Sequence, residues 1–265
     1  MTSTGRLHGL SAVVPAYNEA GNIGRVVDAL CAVLPAVAGR HEVIVVDDGS
    51  TDGTGATMAG RPGVRVIRHP INRGYGAALR AGFAAAREPW CVFLDGDGQL
   101  DPLELPRLVA AVGDADMVAG YRTPRADPVL RRLYGVIWNV LVRVLLGVRV
   151  RDVNCAFKLV RGEVLRVVTL ESCGALLSAE LLGKALRQGF RMRQVPVSHR
   201  TRQLGRATGA APHVVVRALY ELAALGRRIR VPERRAAAGP TFRGGLAPLL
   251  LAPASRRLQR PRATR

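Results

Sequence analysis

The sequence predicts an α/β protein built on a doubly wound, mostly parallel sheet, and three observations carry that expectation. Short β-branched runs alternate with helix-length stretches over the first 121 residues, the pattern of repeated strand–helix–strand units. Two of these runs, Glu42–Val46 (EVIVV) and Trp90–Leu94 (WCVFL), are apolar enough to be covered on both faces. Both end in acidic, glycine-containing turns, Asp47-Asp48-Gly49-Ser50 and Asp95-Gly96-Asp97-Gly98. In open parallel sheets the ligand crevice lies beyond the carboxyl ends of the strands, so two such turns suggest one shared site.

Taken in chain order, Leu10–Val14 is a strand that Pro15 ends, and Gly24–Leu34 has helical spacing through Val26, Val27, Leu30 and Leu34. Glu42–Val46 is the next strand, after which Ser50 or Asp52 is placed to cap a helix. Val64–Ile67 reads as a strand and Tyr75–Arg87 as an alanine-rich helix. Trp90–Leu94 follows, then a helix opened by Pro102, then a strand over Asp116–Gly120. Beyond Arg122 the pattern changes to a long helix (Pro128–Leu146), a strand (Ala156–Val160), a helix (Ser178–Gln188), a strand (Arg193–Ser198) and an amphipathic helix (His213–Leu225). No internal repeat is present. The expected organisation is a flexible N-terminus over residues 1–8, one domain over 9–225 and a separate tail over 226–265.

Composition bounds what this domain does. Of 265 residues 48% are apolar and 22% charged, enough to bury a core. The net charge is +19, and all but Lys158 and Lys184 of the 39 basic residues are arginines, a balance that favours anionic partners. Residues 226–265 hold 11 arginines and the single acid Glu233, a net of +10 that leaves +9 for residues 1–225. Such a tail reads as a mobile polycationic arm that could rest on an anionic membrane surface. Cys31, Cys91, Cys155 and Cys173 lie far apart without a CxxC pair, which argues against a zinc ribbon or a disulfide framework and for reduced, cytoplasmic thiols. The opening residues lack a secretory signal pattern, and no uncharged apolar run reaches the roughly 18–20 residues that span a bilayer. The absence of GxGxxG after the first strand and of GxxxxGK[ST] removes support for dinucleotide oxidoreductases and P-loop NTPases. No aromatic-interleaved basic surface or DNA-reading helix points to specific nucleic-acid binding.

The chemistry concentrates in a few segments. Asp95 and Asp97, one residue apart on a glycine-rich turn, can chelate a hard divalent cation that also needs phosphate oxygens and water. Alone the triplet better describes an ordinary acidic turn; its place after a buried-type strand, with a second acidic strand end upstream, reverses that balance in favour of the chelating reading. One of Asp47 and Asp48 is expected to stiffen its turn and the other to accept hydrogen bonds from a nucleobase or ribose. Pro15, Ala16, Tyr17 and Glu19 leave the first strand and would wall the same crevice, with Tyr17 packing rather than reacting. Arg122, Arg131, Arg200 and Arg202 follow strands or open the long helix, where paired guanidinium hydrogen bonds can hold phosphate; His199, beside Arg200, is a further phosphate candidate. The helix over Pro128–Leu146, with Arg131, Arg132 and Arg143 at its margins, reads equally as lying in a membrane interface or as packing on the domain or a second subunit.

The ordered series VVPAYNE (13–19), VVDDGSTDGT (45–54), NRGYGAALRAG (72–82), FLDGDGQLDP (93–102) and VAGYR (118–122) resembles family 2 of the inverting GT-A glycosyltransferases. Within it the likeness is to the polyprenol-phosphate (dolichol-phosphate) mannosyltransferases and their glucosyl relatives. The resemblance implies a GT-A fold whose Rossmann-like nucleotide-sugar half is residues 9–122 and whose acceptor-side extension is residues 123–225. It implies that Pro15, Ala16, Tyr17, Glu19, Asp47, Asp48, Asp95 and Gln99 bind the nucleotide sugar. It implies that Asp95, Asp97 and Gln99 hold Mg²⁺ or Mn²⁺ on the donor diphosphate, and that Arg122, Arg131 and Arg202 grip the acceptor phosphate and the donor. Donors would be GDP-mannose or UDP-glucose, the acceptor a polyprenyl phosphate, and the location the cytoplasmic face of the inner membrane, peripherally bound. Gly135 stands where these mannosyltransferases often have serine, and Gly205-Arg206-Ala207-Thr208 replaces their GESK-like stretch; both differences fall on the acceptor side. An acceptor hydroxyl, as in polysaccharide or secondary-metabolite glycosylation, would instead require a carboxylate base, for which Asp152 and Glu180 are the candidates. The reading outside enzymology is a polyanion-binding protein that uses only its charge.

Overall fold

The computed structural model describes residues 5–127, 129–202, 204 and 212–230. Seven strands form one sheet: β1 (Leu7–Ala16), β2 (Ala38–Asp47), β3 (Val64–Arg68), β4 (Trp90–Phe93), β5 (Met117–Arg122), β6 (Lys158–Arg161) and β7 (Met192–Val197). The helices are α1 (Ile23–Val37), α2 (Thr54–Met58), α3 (Tyr75–Ala85), α4 (Leu105–Ala110), α5 (Val129–Leu146), α6 (Gly162–Val167), α7 (Leu177–Arg187) and α8 (Pro212–Arg230). The sheet order is β3-β2-β1-β4-β6-β5-β7. All neighbours are parallel except β6, which runs antiparallel to both β4 and β5.

Alternation along β1 shows how the sheet is covered twice. Leu10, Ala12 and Val14 point into one layer, with Val26, Val27, Leu30 and Leu34 of α1 and Leu105 and Leu108 of α4. Val13 points into the other, with Ile44, Val46 and Phe93, against α3, α5, α6, α7 and α8. Period-2 burial on both faces is what a central strand between two helical layers requires. The closest approach is at Gly82 of α3, where a Cβ would stand 2.3 Å from Cγ1 of Val13. Gly82→Ala is therefore expected to lower stability by about 1–3 kcal/mol through overpacking; a urea-unfolding midpoint equal to that of the unaltered protein would contradict this packing of α3 on β1.

The register positions the site. Ala16 stands opposite Asp47 in the β1–β2 pair, and Val13 opposite Phe93 in the β1–β4 pair. The chain thus leaves β1, β2 and β4 at one edge, with β2 and β4 on either side of β1, so β1 is the point where strand order reverses and a crevice opens.

Several sequence expectations shift. Leu7, within the 1–8 stretch expected to be flexible, is fully buried and pairs with Ala38. The cap of α2 is neither Ser50 nor Asp52 but Gly53, whose φ is 89°; Asp52 Oδ1 instead accepts from the Thr54 amide at 3.0 Å. Pro102 opens a 3-10 turn, held by Asp101 Oδ1 accepting from Leu103 N at 3.0 Å, and the helix proper begins at Leu105. The helix α6 was not expected, its six residues being too few to show a period. The helix α8 continues to Arg230, past the expected boundary at 225. The remaining tail and Gly205–Thr208 lie outside the described residues.

Candidate functional site

At the end of β2 both aspartates turn inward. Asp47 Oδ1 accepts from Ser50 N at 2.9 Å, and its Oδ2 lies 3.5 Å from Arg68 Nε. Asp48 accepts from the amides of Arg73 (3.0 Å) and Gly74 (2.8 Å) and meets His69 Nδ1 at 2.6 Å. One structural and one ligand-facing residue were expected; here both carboxylates hold turns, since each sits beneath a loop whose amides need acceptors. Gly49 between them has φ 77°, and a Cβ there would lie 2.4–2.8 Å from the backbone of Ile71 and Asn72, so only glycine fits.

The segment after β1 is laced to the same turn. Asn18 N donates to Ser50 Oγ and Thr51 N to Asn18 Oδ1, both at 2.9 Å, while Glu19 N donates to Thr54 Oγ1 at 2.8 Å. Tyr17 remains exposed at 38%, which corrects the expectation that it packs. From the other side, the turn after β4 comes against β1: a Cβ on Gly96 would lie 3.3 Å from the Pro15 carbonyl oxygen and 3.5 Å from Ala16 Cβ. The Pro15–Glu19, Asp47–Asp48 and Asp95–Gln99 segments therefore line one crevice.

Asp95 sits half-buried beside the Asp97 carboxylate. Its Oδ1 is buried with no hydrogen-bond partner among the described residues, and the half-buried Tyr75 lies beside the carboxyl group. Burial, then repulsion from Asp97, pushes its pKa up to about 7. A buried oxygen without a partner beside a second carboxylate is what a divalent cation would satisfy, and the residues present fit one. No group of three or more His, Cys, Asp or Glu that could hold a metal ion occurs among the described residues, so its other ligands would be diphosphate oxygens and water. Between the ordinary carboxylate range and about pH 7 the folded protein keeps a proton that the unfolded chain releases, so stability falls as pH rises through that window. The cation-free protein is expected to melt lower at about pH 8 than at about pH 5, and Asp95→Asn to flatten that slope; an identical slope in a calorimetric pH series would contradict it.

Asp97 Oδ1 accepts from Gln99 N at 3.0 Å, and Oδ2 lies 3.3 Å from Arg202 Nη1. The same guanidinium pairs with Glu19 through Nη2, and Asn22 Nδ2 holds the other Glu19 oxygen at 2.8 Å. Arg202 thus ties the segment after β7 to both the first-strand segment and the DxD turn. An antiparallel bridge between Leu100 and His199 supports this join, with Arg200 N donating to the Gln99 carbonyl at 2.9 Å. Gln99 Nε2 donates to the Arg200 carbonyl at 3.2 Å, leaving the amide oxygen as its remaining donor atom for an ion.

Arg122, at the end of β5, is held in a fork by Asp152 (Nε–Oδ2 2.6 Å, Nη2–Oδ1 3.0 Å) and lies 3.7 Å from Asp127. Burial opposes ionisation of Asp152, but the Arg122 hydrogen bonds and charge outweigh it and hold the carboxyl below its usual range. Asp152 is therefore poorly suited to be a general base. Glu180 is excluded likewise: it accepts from Glu171 N (3.0 Å), Ser172 N (2.8 Å) and Lys184 Nζ (2.8 Å), and these bonds outweigh burial to lower its pKa. His199 is not a free phosphate ligand, because its Nδ1 accepts from Ala126 N at 3.1 Å; burial, then the Arg122 charge, keeps the ring neutral. Arg131 falls within α5, and its side chain lies outside the described residues.

Two groups were missed, one half-buried and one buried. Tyr75 opens α3 beside Asp95. Lys158, opposite Phe93 and Ala119 in β6, donates Nζ to the carbonyls of Val153 (3.0 Å) and Cys155, and burial lowers its pKa. A lysine inside the apolar run AFKLV, in a chain with two lysines, was the available signal.

Comparison with known proteins fits this geometry. Polyprenol monophosphomannose synthase of Mycolicibacterium smegmatis is 32% identical over 240 residues, covering 84% of this chain and 89% of that protein. Dodecaprenyl-phosphate galacturonate synthase of Rhizobium johnstonii is 34% identical over 169 residues, 61% of this chain, which spans 50% of that protein's length. Among solved structures, glucosyl-3-phosphoglycerate synthase from Mycobacterium tuberculosis with UDP superposes with a TM-score of 0.66 at 24% identity, covering 86% of this chain and 82% of that one, a likeness of fold alone. The same enzyme with Mn²⁺, UDP and glucosyl-3-phosphoglycerate gives 0.58 at 25%, over 84% and 77%. These neighbours have the GT-A fold. Residues 11–168 match the family model described as glycosyl transferase family 2, and the chain belongs to that family of glycosyltransferases.

Proposed function

We propose that the protein moves a hexose, mannose or glucose, from GDP-mannose or UDP-glucose to a polyprenyl phosphate, with inversion, using Mg²⁺ or Mn²⁺, at the cytoplasmic face of the inner membrane. The observation that carries this reading is the meeting of the Pro15–Glu19, Asp47–Asp48 and Asp95–Gln99 segments at one strand edge, closed by Arg202 from the acceptor half. The relatives named as polyprenyl-phosphate sugar transferases support the acceptor class.

In this reading Asp95 and Asp97 hold the cation, with the Gln99 amide oxygen beside them. The bound ion supplies positive charge against the charge that develops on the nucleoside-diphosphate leaving group. The wall formed by Pro15, Ala16 and Tyr17, with the turns that Asp47 and Asp48 hold rigid, binds the nucleoside. Arg202 is released from Asp97 to meet donor phosphate, and remains oriented by Glu19 and by its Nε bond to the Leu204 carbonyl at 2.8 Å. Arg122 and Arg131 are assigned to the acceptor phosphate. A lipid monophosphate, with a second pKa of about 6 by analogy with phosphoserine, attacks as its anion and needs holding rather than deprotonation. The commitment of Asp152 and Glu180 to other partners favours this acceptor over a hydroxyl.

No helix among the described residues is long and apolar enough to cross a membrane. Peripheral attachment then rests on surface contacts, the arginines of the tail contributing about 1 kcal/mol each near anionic lipid.

The test supplies labelled donor and Mg²⁺ with polyprenyl phosphate or with soluble sugars and aglycones. Label in the lipid is the expected result. Label only in a soluble acceptor would overturn the acceptor assignment, and no turnover with any acceptor would overturn the donor chemistry.

A further inference from the structure

We infer that the outer face of α5 is a docking surface for an anionic lipid bilayer. Val129, Leu133, Val136, Ile137, Val140 and Val144 fall on one stripe of this helix, and each is between 47% and 81% exposed. The opposite stripe, Trp138, Val142 and Leu146, is buried in the core. Tyr134, 52% exposed, extends the outer stripe. The neighbouring helix α8, which packs beside α5 with Gly226 against Leu145, adds exposed Leu219 and Tyr220. A contiguous apolar strip of this length on a soluble surface marks an interaction site, and tyrosines at its margin suit a boundary between hydrocarbon and water.

Charge decides the occupant. Among the described side chains of α5, the exposed ones that are not apolar are Arg132 and Arg143, and Arg143 has no hydrogen bond or ion pair among the described residues. Arg227 is exposed on α8. The 35 residues that follow α8 add eight arginines and one acid, and the whole chain carries +19. A symmetric pairing of two copies through this stripe would bring like charges together at both margins, whereas anionic headgroups would complement them. An apolar face flanked by arginines matches a helix lying in the plane of the interface.

The placement joins this surface to the site. The helix α5 follows directly from the β5 end that carries Arg122, and Arg125, paired with Asp127, lies against Gly135 on α5. A bilayer seated on the stripe sets its headgroup layer beside Arg122. The inference deepens the lipid-acceptor reading, and its test uses vesicles without acceptor or sugar nucleotide, so each can fail alone.

The experiment is co-sedimentation of the full chain with phosphatidylcholine vesicles, with and without phosphatidylglycerol, comparing the unaltered protein with Val136→Glu/Val140→Glu. Both positions are exposed, so the variant is expected to keep the parent melting temperature. The unaltered protein should sediment with the anionic vesicles, and the variant should bind them at least about tenfold more weakly. Equal binding by the two proteins would overturn the inference, because the arginines alone would then suffice. Failure of the unaltered protein to sediment would also overturn it, as would a dimer in light scattering that the two glutamates dissociate.

Discussion

Asp97→Ala is expected to lower kcat/KM for sugar transfer by about 10²–10³-fold or more, with the fold intact. The carboxylate lies on a turn outside the sheet, and its partners are one backbone amide and one arginine. Arg202 keeps its bond to Glu19 when that partner is lost, so the segment after β7 stays anchored. What disappears is half of the carboxylate pair that would hold the cation on the donor diphosphate. Transfer assays and thermal melts made on the same preparation check this. Retained activity would remove Asp97 from the machinery, whereas a collapse in melting temperature would make its role structural.

Arg122→Met should destabilise the protein by about 3–5 kcal/mol, because it leaves the buried Asp152 carboxylate without its forked guanidinium partner, while Asp127 keeps Arg125. The pH dependence has a definite sign. The Asp152 pKa is held low in the folded protein, so its contribution to stability is present above the unfolded carboxylate pKa and is lost as pH falls toward the folded one. The gap between variant and parent should therefore hold steady down to about pH 4 and narrow as pH falls below it. Arg122→Met/Asp152→Leu should recover part of the stability without recovering transfer, which separates the structural from the chemical use of Arg122. Urea unfolding at several pH values checks the first claim and an activity assay the second; a gap independent of pH would contradict the buried ion pair.

The parts legible in the sequence were those that local patterning controls. Buried strands such as EVIVV, the period of α1, the glycine-rich acidic turns and their place at strand ends all follow from neighbours in the chain. The antiparallel direction of β6 did not, because strand direction depends on a return path through the loop before Lys158 that no short-range pattern encodes. The partners of the site's charges were equally hidden. Glu19 and Arg202 meet across 183 positions, and Asp152 reaches Arg122 across 30, so neither pairing leaves a mark in spacing. That is also why Asp152 read as a free base candidate and His199 as a phosphate ligand. The duties of Asp47 and Asp48 were hidden too: the Ser50 amide and the Arg68 guanidinium hold the first, and the Arg73 and Gly74 amides hold the second.

The central claim is that the two aspartates after β4 clamp a cation-bridged diphosphate against the end of β1. Titrating GDP and UDP into the full chain by calorimetry, with Mn²⁺ or with a chelator, addresses it most directly. One nucleotide should bind tightly with Mn²⁺ and much more weakly with the chelator, and Asp95→Asn should abolish the difference. Binding that ignores both the metal and the substitution would contradict the account.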